Sequence, residues 1–275
     1  MDTISEINWD EIWQKQMNPI ASKGEDAAYW DKRACCKVGT HDNYTQELLK
    51  RIKKCSNESA LDVGCGSGGV TIPLSRLMQQ VTALDISPLA LTAMQKEALK
   101  AGVTNIIPVV GDFSDLYLSN QIKSHDIVIA SRSLPMGNLK QSLTIMNTLA
   151  KKSCYLTWTA GDNELLKNVC QILGKQYSPF PEYLIILVML YTMGIHANLE
   201  LFSSEGSCNY ASLEEVVSEA IQRYTIPKEE INEELTEYVK NQLIIDNGQY
   251  HWVIKSEWAL IWWDVNPKKI TRLLE

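Results

Sequence analysis

The chain has 275 residues, 45% of them apolar, enough for one large domain or for a domain with a cap. A net charge of −7 argues against a nucleic-acid partner or a membrane surface. The longest apolar stretch, residues 183–193, is too short to cross a bilayer, no signal peptide is visible, and seven cysteines with no Cys-x-x-Cys spacing read as reduced thiols of a cytoplasmic protein.

Trp9, Ile12, Trp13 and Met17 fall at helical spacing, so the first predicted element is an amphipathic helix that Pro19 and Gly24 end. A second element begins at Tyr29, and residues 44–52 form a third with Leu48, Leu49 and Ile52 facing inward. Ala60, Leu61 and Val63 then make a buried strand that runs into the glycine-rich turn Gly64-Cys65-Gly66-Ser67-Gly68-Gly69. Val70, Leu74 and Leu77 share one face of the helix beyond it, with Pro73 in the first turn. Residues 81–86 form a second strand closing on Asp85, and Ser87-Pro88 reads as an N-cap followed by proline at the first helical position. Strands at 106–110, 126–130 and 154–159 alternate with helices, the pattern of a parallel sheet wound on both faces. Beyond Gly161 come a helix at 182–193 that is apolar nearly all round, a strand at 195–202, charged helices at 212–224 and 227–244 forming an insertion, and strands at 250–253 and 258–265.

A strand that enters a helix through closely spaced glycines lets backbone approach a ligand, and the helix beyond offers unpaired N–H groups. The spacing Gly64-x-Gly66-x-x-Gly69 also satisfies the dinucleotide fingerprint, so a nicotinamide-dependent oxidoreductase is one reading. Against it stand the acidic Asp62 inside the strand and some sixty residues ahead of the motif. The series Leu61-Asp-Val-Gly-Cys-Gly-Ser-Gly68, Val81-Thr-Ala-Leu-Asp-Ile86, Val109-Val-Gly-Asp-Phe113 and His125-Asp-Ile-Val-Ile-Ala130 resembles the class I S-adenosylmethionine-dependent methyltransferases over residues 60–160.

That resemblance implies a seven-stranded, mostly parallel Rossmann-like sheet whose last strand is antiparallel, a helical lid at 1–55, and a methyltransferase domain at 56–275 with its insertion at about 205–245. It implies S-adenosylmethionine as cofactor, S-adenosylhomocysteine as product, and Asp62, Gly64, Cys65, Gly66, Gly68, Asp85, Ile86, Asp112, Phe113, Ser131 and Tyr29 as cofactor contacts. Asp85 would accept the ribose hydroxyls, Asp112 the adenine amino group, and Phe113 would lie against the base or simply pack. Asp62 would order the loop near the sulfonium. Tyr29, Trp30 and Arg33 either touch cofactor or substrate or dock a cap helix. The end of the fourth strand, Ile129-Ala-Ser-Arg-Ser-Leu-Pro135, carries neither the Asn/Asp-Pro-Pro-Tyr/Phe signature of amide and amino-group methylation nor the Pro-Cys of cytosine-ring methylation. A small-molecule acceptor is therefore expected, with Arg132 meeting a substrate carboxylate or only solvated. Asp162-Asn163 gives an incomplete set of magnesium ligands, and no metal is expected. No catalytic residue is assigned; His41, His125, His196 and His251 are the candidate bases, His125 at the wrong end of its strand. The pair Cys35-Cys36, with Cys154 or Cys208, allows a metalloid site. The helix at 182–193 and the tryptophan-rich tail (Trp252, Trp258, Trp262, Trp263) wall an apolar pocket, or pack a core or a homodimer. A protein that binds the cofactor without turnover is the remaining alternative.

Overall fold

The computed structural model describes residues 4, 6–21, 27–34, 41–52, 55–134, 138–224 and 226–265. Helices α1 (Trp9–Ala21) and α2 (Ala27–Ala34), the two-residue strand β1 (His41–Asp42) and helix α3 (Tyr44–Arg51) precede the main sheet. There follow β2 (Cys55–Val63), α4 (Thr71–Ser75), β3 (Met78–Asp85), α5 (Pro88–Lys100), β4 (Ile106–Val110), α6 (Phe113–Leu118), β5 (His125–Ser131), α7 (Leu139–Leu149) and β6 (Ala150–Thr159). The second half holds α8 (Glu164–Ile172), α9 (Tyr183–Thr192), β7 (Asn198–Tyr210), α10 (Leu213–Tyr224), α11 (Glu233–Asn241), β8 (Leu243–Asp246) and β9 (Gln249–Asp264).

The sheet runs β1-β7-β9-β6-β5-β2-β3-β4, with β8 on β9. Pairings β2–β3, β2–β5, β3–β4 and β5–β6 are parallel, whereas β9 lies antiparallel between β6 and β7. The expected seven strands are therefore present with the expected antiparallel one, and the short β1 and β8 extend the sheet. Strand order reverses at β2, whose neighbours are β3 on one side and β5 on the other. The carboxyl ends of β2 and β5 thus diverge into opposite helix layers and leave a crevice, the usual ligand site of such sheets.

Alternation along the strands sorts the core into two layers. Leu61, Val63, Val128, Ala130, Leu156, Ile261 and Trp263 face α1, α7 and α9. Ala60, Val81, Ile127, Ile129, Tyr155 and Leu260 face Tyr44, Leu48 and Ile52 at α3 and Leu74 of α4. Trp13 and Met17 are fully buried in the first layer, so α1 is part of the core rather than a detachable cover. The helix continues through Pro19 to Ala21, because in the last turn proline forfeits a single backbone hydrogen bond. The predicted helix after the glycine turn shrinks to five residues, and Leu77 falls outside it because β3 starts at Met78.

The insertion differs more. Residues 227–244 are not one helix: a short 3₁₀ turn at Lys228–Glu230 leads to α11, and Ile244 belongs to β8, a hairpin partner of β9. The tail is one continuous strand from Gln249, not two, because β7 pairs with it from Asn198–Trp262 to Tyr210–Tyr250. Since Thr159 at the end of β6 pairs with Trp258, the β7/β9 ladder beyond that level overhangs the carboxyl ends of the parallel strands. A separate apolar cluster of Val169, Val216, Ala220, Leu235, Val239 and Trp252 holds α8, α10 and α11 on this arm. Trp252 and Trp263 are fully buried, and Trp258 and Trp262 pack beside the second layer, so the tryptophan-rich tail packs core within one chain.

Candidate active site at the carboxyl ends of β2, β3 and β5

The glycine turn is held onto β3 by backbone: the N–H groups of Gly64 and Cys65 both donate to the Leu84 carbonyl, at 2.8 and 2.9 Å. Gly64, Gly66 and Gly68 take φ of +68°, +54° and +88°, a region L side chains rarely adopt. Their surroundings differ. A Cβ on Gly64 would stand 2.4 Å from the Ser133 Cβ, so this glycine lets the turn after β5 close onto the turn after β2. Ser133 Oγ donates to the Val63 carbonyl at the same seam. At Gly66 an added Cβ meets nothing within 4 Å, leaving backbone that faces open space. That is the cradle a close-lying ligand needs.

Three carboxylates surround the cradle. Asp62 is buried and accepts from Thr71 Oγ1 at 2.6 Å; burial raises its pKa to about 7, against the Thr71 hydrogen bond, with the Asp85 charge adding to the rise. Asp85 accepts from the Gly66 N–H at 2.7 Å through Oδ2 and from the Ser87 N–H at 2.8 Å through Oδ1. Each of those oxygens retains a second lone pair for a ligand hydroxyl. Asp112 caps α6, its Oδ1 accepting from Ser114 and Asp115, while Oδ2 takes no hydrogen bond among the described residues. Ile86 is half-buried beside Asp85. Phe113 is a buried member of the main core, which places its ring among apolar side chains rather than on an open wall. Cys65 is also buried, its thiol pushed up by burial and donating to the Gly66 carbonyl, so it is an inert part of the turn.

Helix α2 docks on α5, with Asp31 accepting from Ser87 Oγ and the Leu89 N–H. Tyr29 is half-buried there, edge-on to Trp30 with ring centroids 5.2 Å apart. Sequence reasoning missed Tyr44. This residue is fully buried at the start of α3, and its hydroxyl bonds Ser131 Oγ at 2.8 Å and Thr157 Oγ1 at 2.5 Å. Arg132, the residue after the end of β5, lays its guanidinium 3.9 Å from the Tyr44 ring centroid.

Of the four histidines, His125 lies at the amino end of β5 and bonds Thr82. His196 precedes β7, which runs parallel to β6, so it too lies at the amino end, away from the crevice. His251 stands on the overhanging arm with Nδ1 2.7 Å from Asn209 Oδ1, and His41 stands in β1. Asn163 serves as the N-cap of α8 and Asp162 pairs with Lys167. Cys35 and Cys36 lie outside the described residues; Cys154 and Cys208 are buried in separate parts of the structure, on β6 and β7. Among the described residues no helix is long and apolar enough to cross a membrane.

Residues 54–179 match the family model of a methyltransferase domain. A Haemophilus influenzae protein of uncharacterized function is 28% identical over 276 residues, covering 96% of this chain and 99% of its own. The ribosomal protein L11 methyltransferase of Campylobacter fetus is 28% identical over 188 residues, 60% of this chain and 68% of that one. A proposed methyltransferase of Bacillus halodurans C-125 superposes with a TM-score of 0.55 at 17% identity, over 80% of this chain and 98% of that one, which establishes a shared fold.

Proposed function

We propose, from the premise that this chain is a class I methyltransferase by domain family and fold, that it binds S-adenosylmethionine and transfers the methyl group to a small-molecule acceptor. The observation that carries this reading is the glycine turn at the switch point of the sheet, open at Gly66 and ringed by Asp62, Asp85 and Asp112. The residues suit the cofactor. Backbone at Gly66 allows close approach, Asp85 keeps acceptor capacity toward ribose hydroxyls, and Asp112 Oδ2, unused by the described residues, would accept from an adenine amino group. The bound cofactor supplies an electrophilic methyl group on a positively charged sulfur. Asp62 and Asp85 set negative charge on the same turn, which favours the cation in a poorly solvated setting.

Transfer to a nucleophile in line with the sulfur demands alignment and exclusion of water more than a catalytic triad. The arm of β7 and β9 overhangs the carboxyl ends of the parallel strands, which supports an acceptor small enough to enter beneath it. We accordingly divide the chain into an N-terminal helical segment at 1–55 and a methyltransferase domain at 56–275 with its insertion at about 205–245.

The test is a calorimetric titration of S-adenosylmethionine and S-adenosylhomocysteine into the wild type and Asp85→Asn. Weakening charge-assisted hydrogen bonds should cost about 1.5–3 kcal/mol, hence about tenfold or more in affinity for both ligands. Equal affinity in the two proteins would remove Asp85 from the site, and no binding to the wild type would end the cofactor assignment.

A further inference from the structure

We propose that Tyr44 is a positioning residue of the cofactor site, holding the Ser131 hydroxyl where it meets the amino-acid end of S-adenosylmethionine, an inference resting on the methyltransferase reading above. Tyr44, Ser131 and Thr157 come from three separate elements. Ser131 closes β5 and pairs with Thr157 of β6, so the two side chains stand side by side near the carboxyl ends of their strands. Tyr44, the first residue of α3, hydrogen bonds to both, at 2.8 Å to Ser131 Oγ and 2.5 Å to Thr157 Oγ1.

These three hydroxyls lie beside the glycine turn. Asp62 of β2 pairs with Ile129 of β5, and Ser131 follows two residues farther along the face that Ile129 presents to α3. The Asp62 charge reaches Tyr44: burial raises the phenol, against the Arg132 charge and the hydrogen bonds to Ser131 and Thr157, and Asp62 adds to the rise. From Ser131 the chain turns through Arg132 to Ser133, which donates to the Val63 carbonyl and packs against Gly64. Ser131 is thus two residues from the seam with the cofactor turn. Tyr44 and Thr157 are fully buried whereas Ser131 is half-buried, so of the three it is Ser131 that keeps open surface.

Packing alone does not call for these hydroxyls. The Tyr44 ring lies against Phe202 and Trp258, with centroids 5.7 and 5.1 Å away, and phenylalanine and valine would fill the places of Tyr44 and Thr157 with no polar group to desolvate. What the hydroxyls add is direction. Thr157 Oγ1 also accepts from the Arg132 N–H at 3.0 Å, and Arg132 has φ of +57°, a left-handed turn that a residue other than glycine adopts at a cost. Strain of this kind persists where contacts over-determine it, and it concentrates at functional sites. The end of β5 is thereby tied through Thr157 and Tyr44 to α3. Among the described residues Tyr44 alone hydrogen bonds the Ser131 hydroxyl, so it sets the rotamer of that side chain. A serine hydroxyl held in this way can donate to a carboxylate or accept from an ammonium, the two charged groups of the amino-acid end.

The test is a double-mutant cycle of Tyr44→Phe and Ser131→Ala, titrated by calorimetry with S-adenosylhomocysteine and with 5′-methylthioadenosine, which has the same nucleoside and no amino-acid end. Ser131→Ala should lower affinity for S-adenosylhomocysteine about tenfold, the effect of one hydrogen bond to a charged group, and leave 5′-methylthioadenosine unchanged. Tyr44→Phe should show the same selectivity at about threefold or more, and the double variant should bind no worse than Ser131→Ala, because Tyr44 acts only through Ser131. A tyrosine that served folding alone would lower the melting temperature and leave the ratio of the two affinities as in wild type. An unchanged ratio in Tyr44→Phe or in Ser131→Ala overturns the proposal, as do losses that multiply in the double variant. If circular dichroism shows Tyr44→Phe unfolded, Thr157→Val, which releases the other partner of the tyrosine hydroxyl, takes its place in the cycle under the same criteria. Failure of wild type to bind either ligand would instead sink the methyltransferase reading itself.

Discussion

At the scale of single residues, Asp62 gives the site a pH dependence whose sign follows from burial. Its folded pKa, raised to about 7, exceeds the ordinary value of 3.8, so between those limits the folded chain keeps a proton that the unfolded chain has released. Stability from this group is fully present below the lower value and is lost as pH rises through the upper one. The urea midpoint of wild type should therefore fall more between about pH 5 and pH 8 than that of Asp62→Asn, and parallel profiles would contradict the assignment. A cation beside Asp62 favours its ionised form. Affinity for S-adenosylmethionine should thus rise through neutral pH more steeply than affinity for the uncharged-sulfur product, as paired titrations would show. The glycines separate in the same way. Gly66→Ala adds a methyl group facing open space, so it should lower stability by only about 1–2 kcal/mol while weakening S-adenosylhomocysteine binding. Gly68→Ala places its Cβ 2.5 Å from Met94 Cγ, so its larger loss should be in melting temperature.

At the scale of elements, what was legible in the sequence was what is local. The turn from β2 into α4 and the Ser87-Pro88 start of α5 are set by residues within a few positions of each other, and Ser87 Oγ accepts from the Ala90 N–H as a cap should. The strand ends that carry Asp62, Asp85 and Asp112 were legible for the same reason. Tyr44 was not, because its hydroxyl partners lie 87 and 113 residues away and nothing in residues 44–52 distinguishes it from an ordinary core tyrosine. The strand β9 was read as two because Lys255-Ser256-Glu257 interrupts the apolar pattern; its continuity comes from pairing with β7, a non-local fact. The helix expected at 227–244 is interrupted by a cap at Asn232. Asn232 accepts from the Leu235 N–H at 2.8 Å and starts α11 there, leaving the residues before it as a 3₁₀ turn. Asn232→Ala should cost about 1 kcal/mol, which for a chain of this size is a drop of about 2–4 °C in Tm by calorimetry, and an unchanged Tm would mean the cap contributes nothing.

At the scale of the molecule, the cofactor and acceptor sides that we propose would be supplied by different parts of the chain. The acidic and glycine groups come from β2, β3 and β4, whereas the arm comes from β7, β9 and the helices between them. The arm has its own apolar cluster, and the hydrogen bonds of Asp62, Asp85 and Asp112 reach none of it. The two parts should therefore be separable by surgery. Tyr210 pairs with Tyr250, so residues 211–249 can be replaced by an Asn-Gly turn that closes the β7/β9 hairpin directly. The excision uncovers Val169 on α8 and Trp252 on β9, a side chain of the class that buries about 150–250 Å². Trp252→Thr in the same protein keeps the new surface polar and suited to a strand. The shortened chain should melt lower than wild type, because the satellite cluster is lost, and should bind S-adenosylhomocysteine with unchanged affinity, because every group assigned to the cofactor is retained. If calorimetry instead shows cofactor affinity lost together with the arm while the chain remains folded, the division of labour between the two halves is wrong, and the arm is part of the cofactor site.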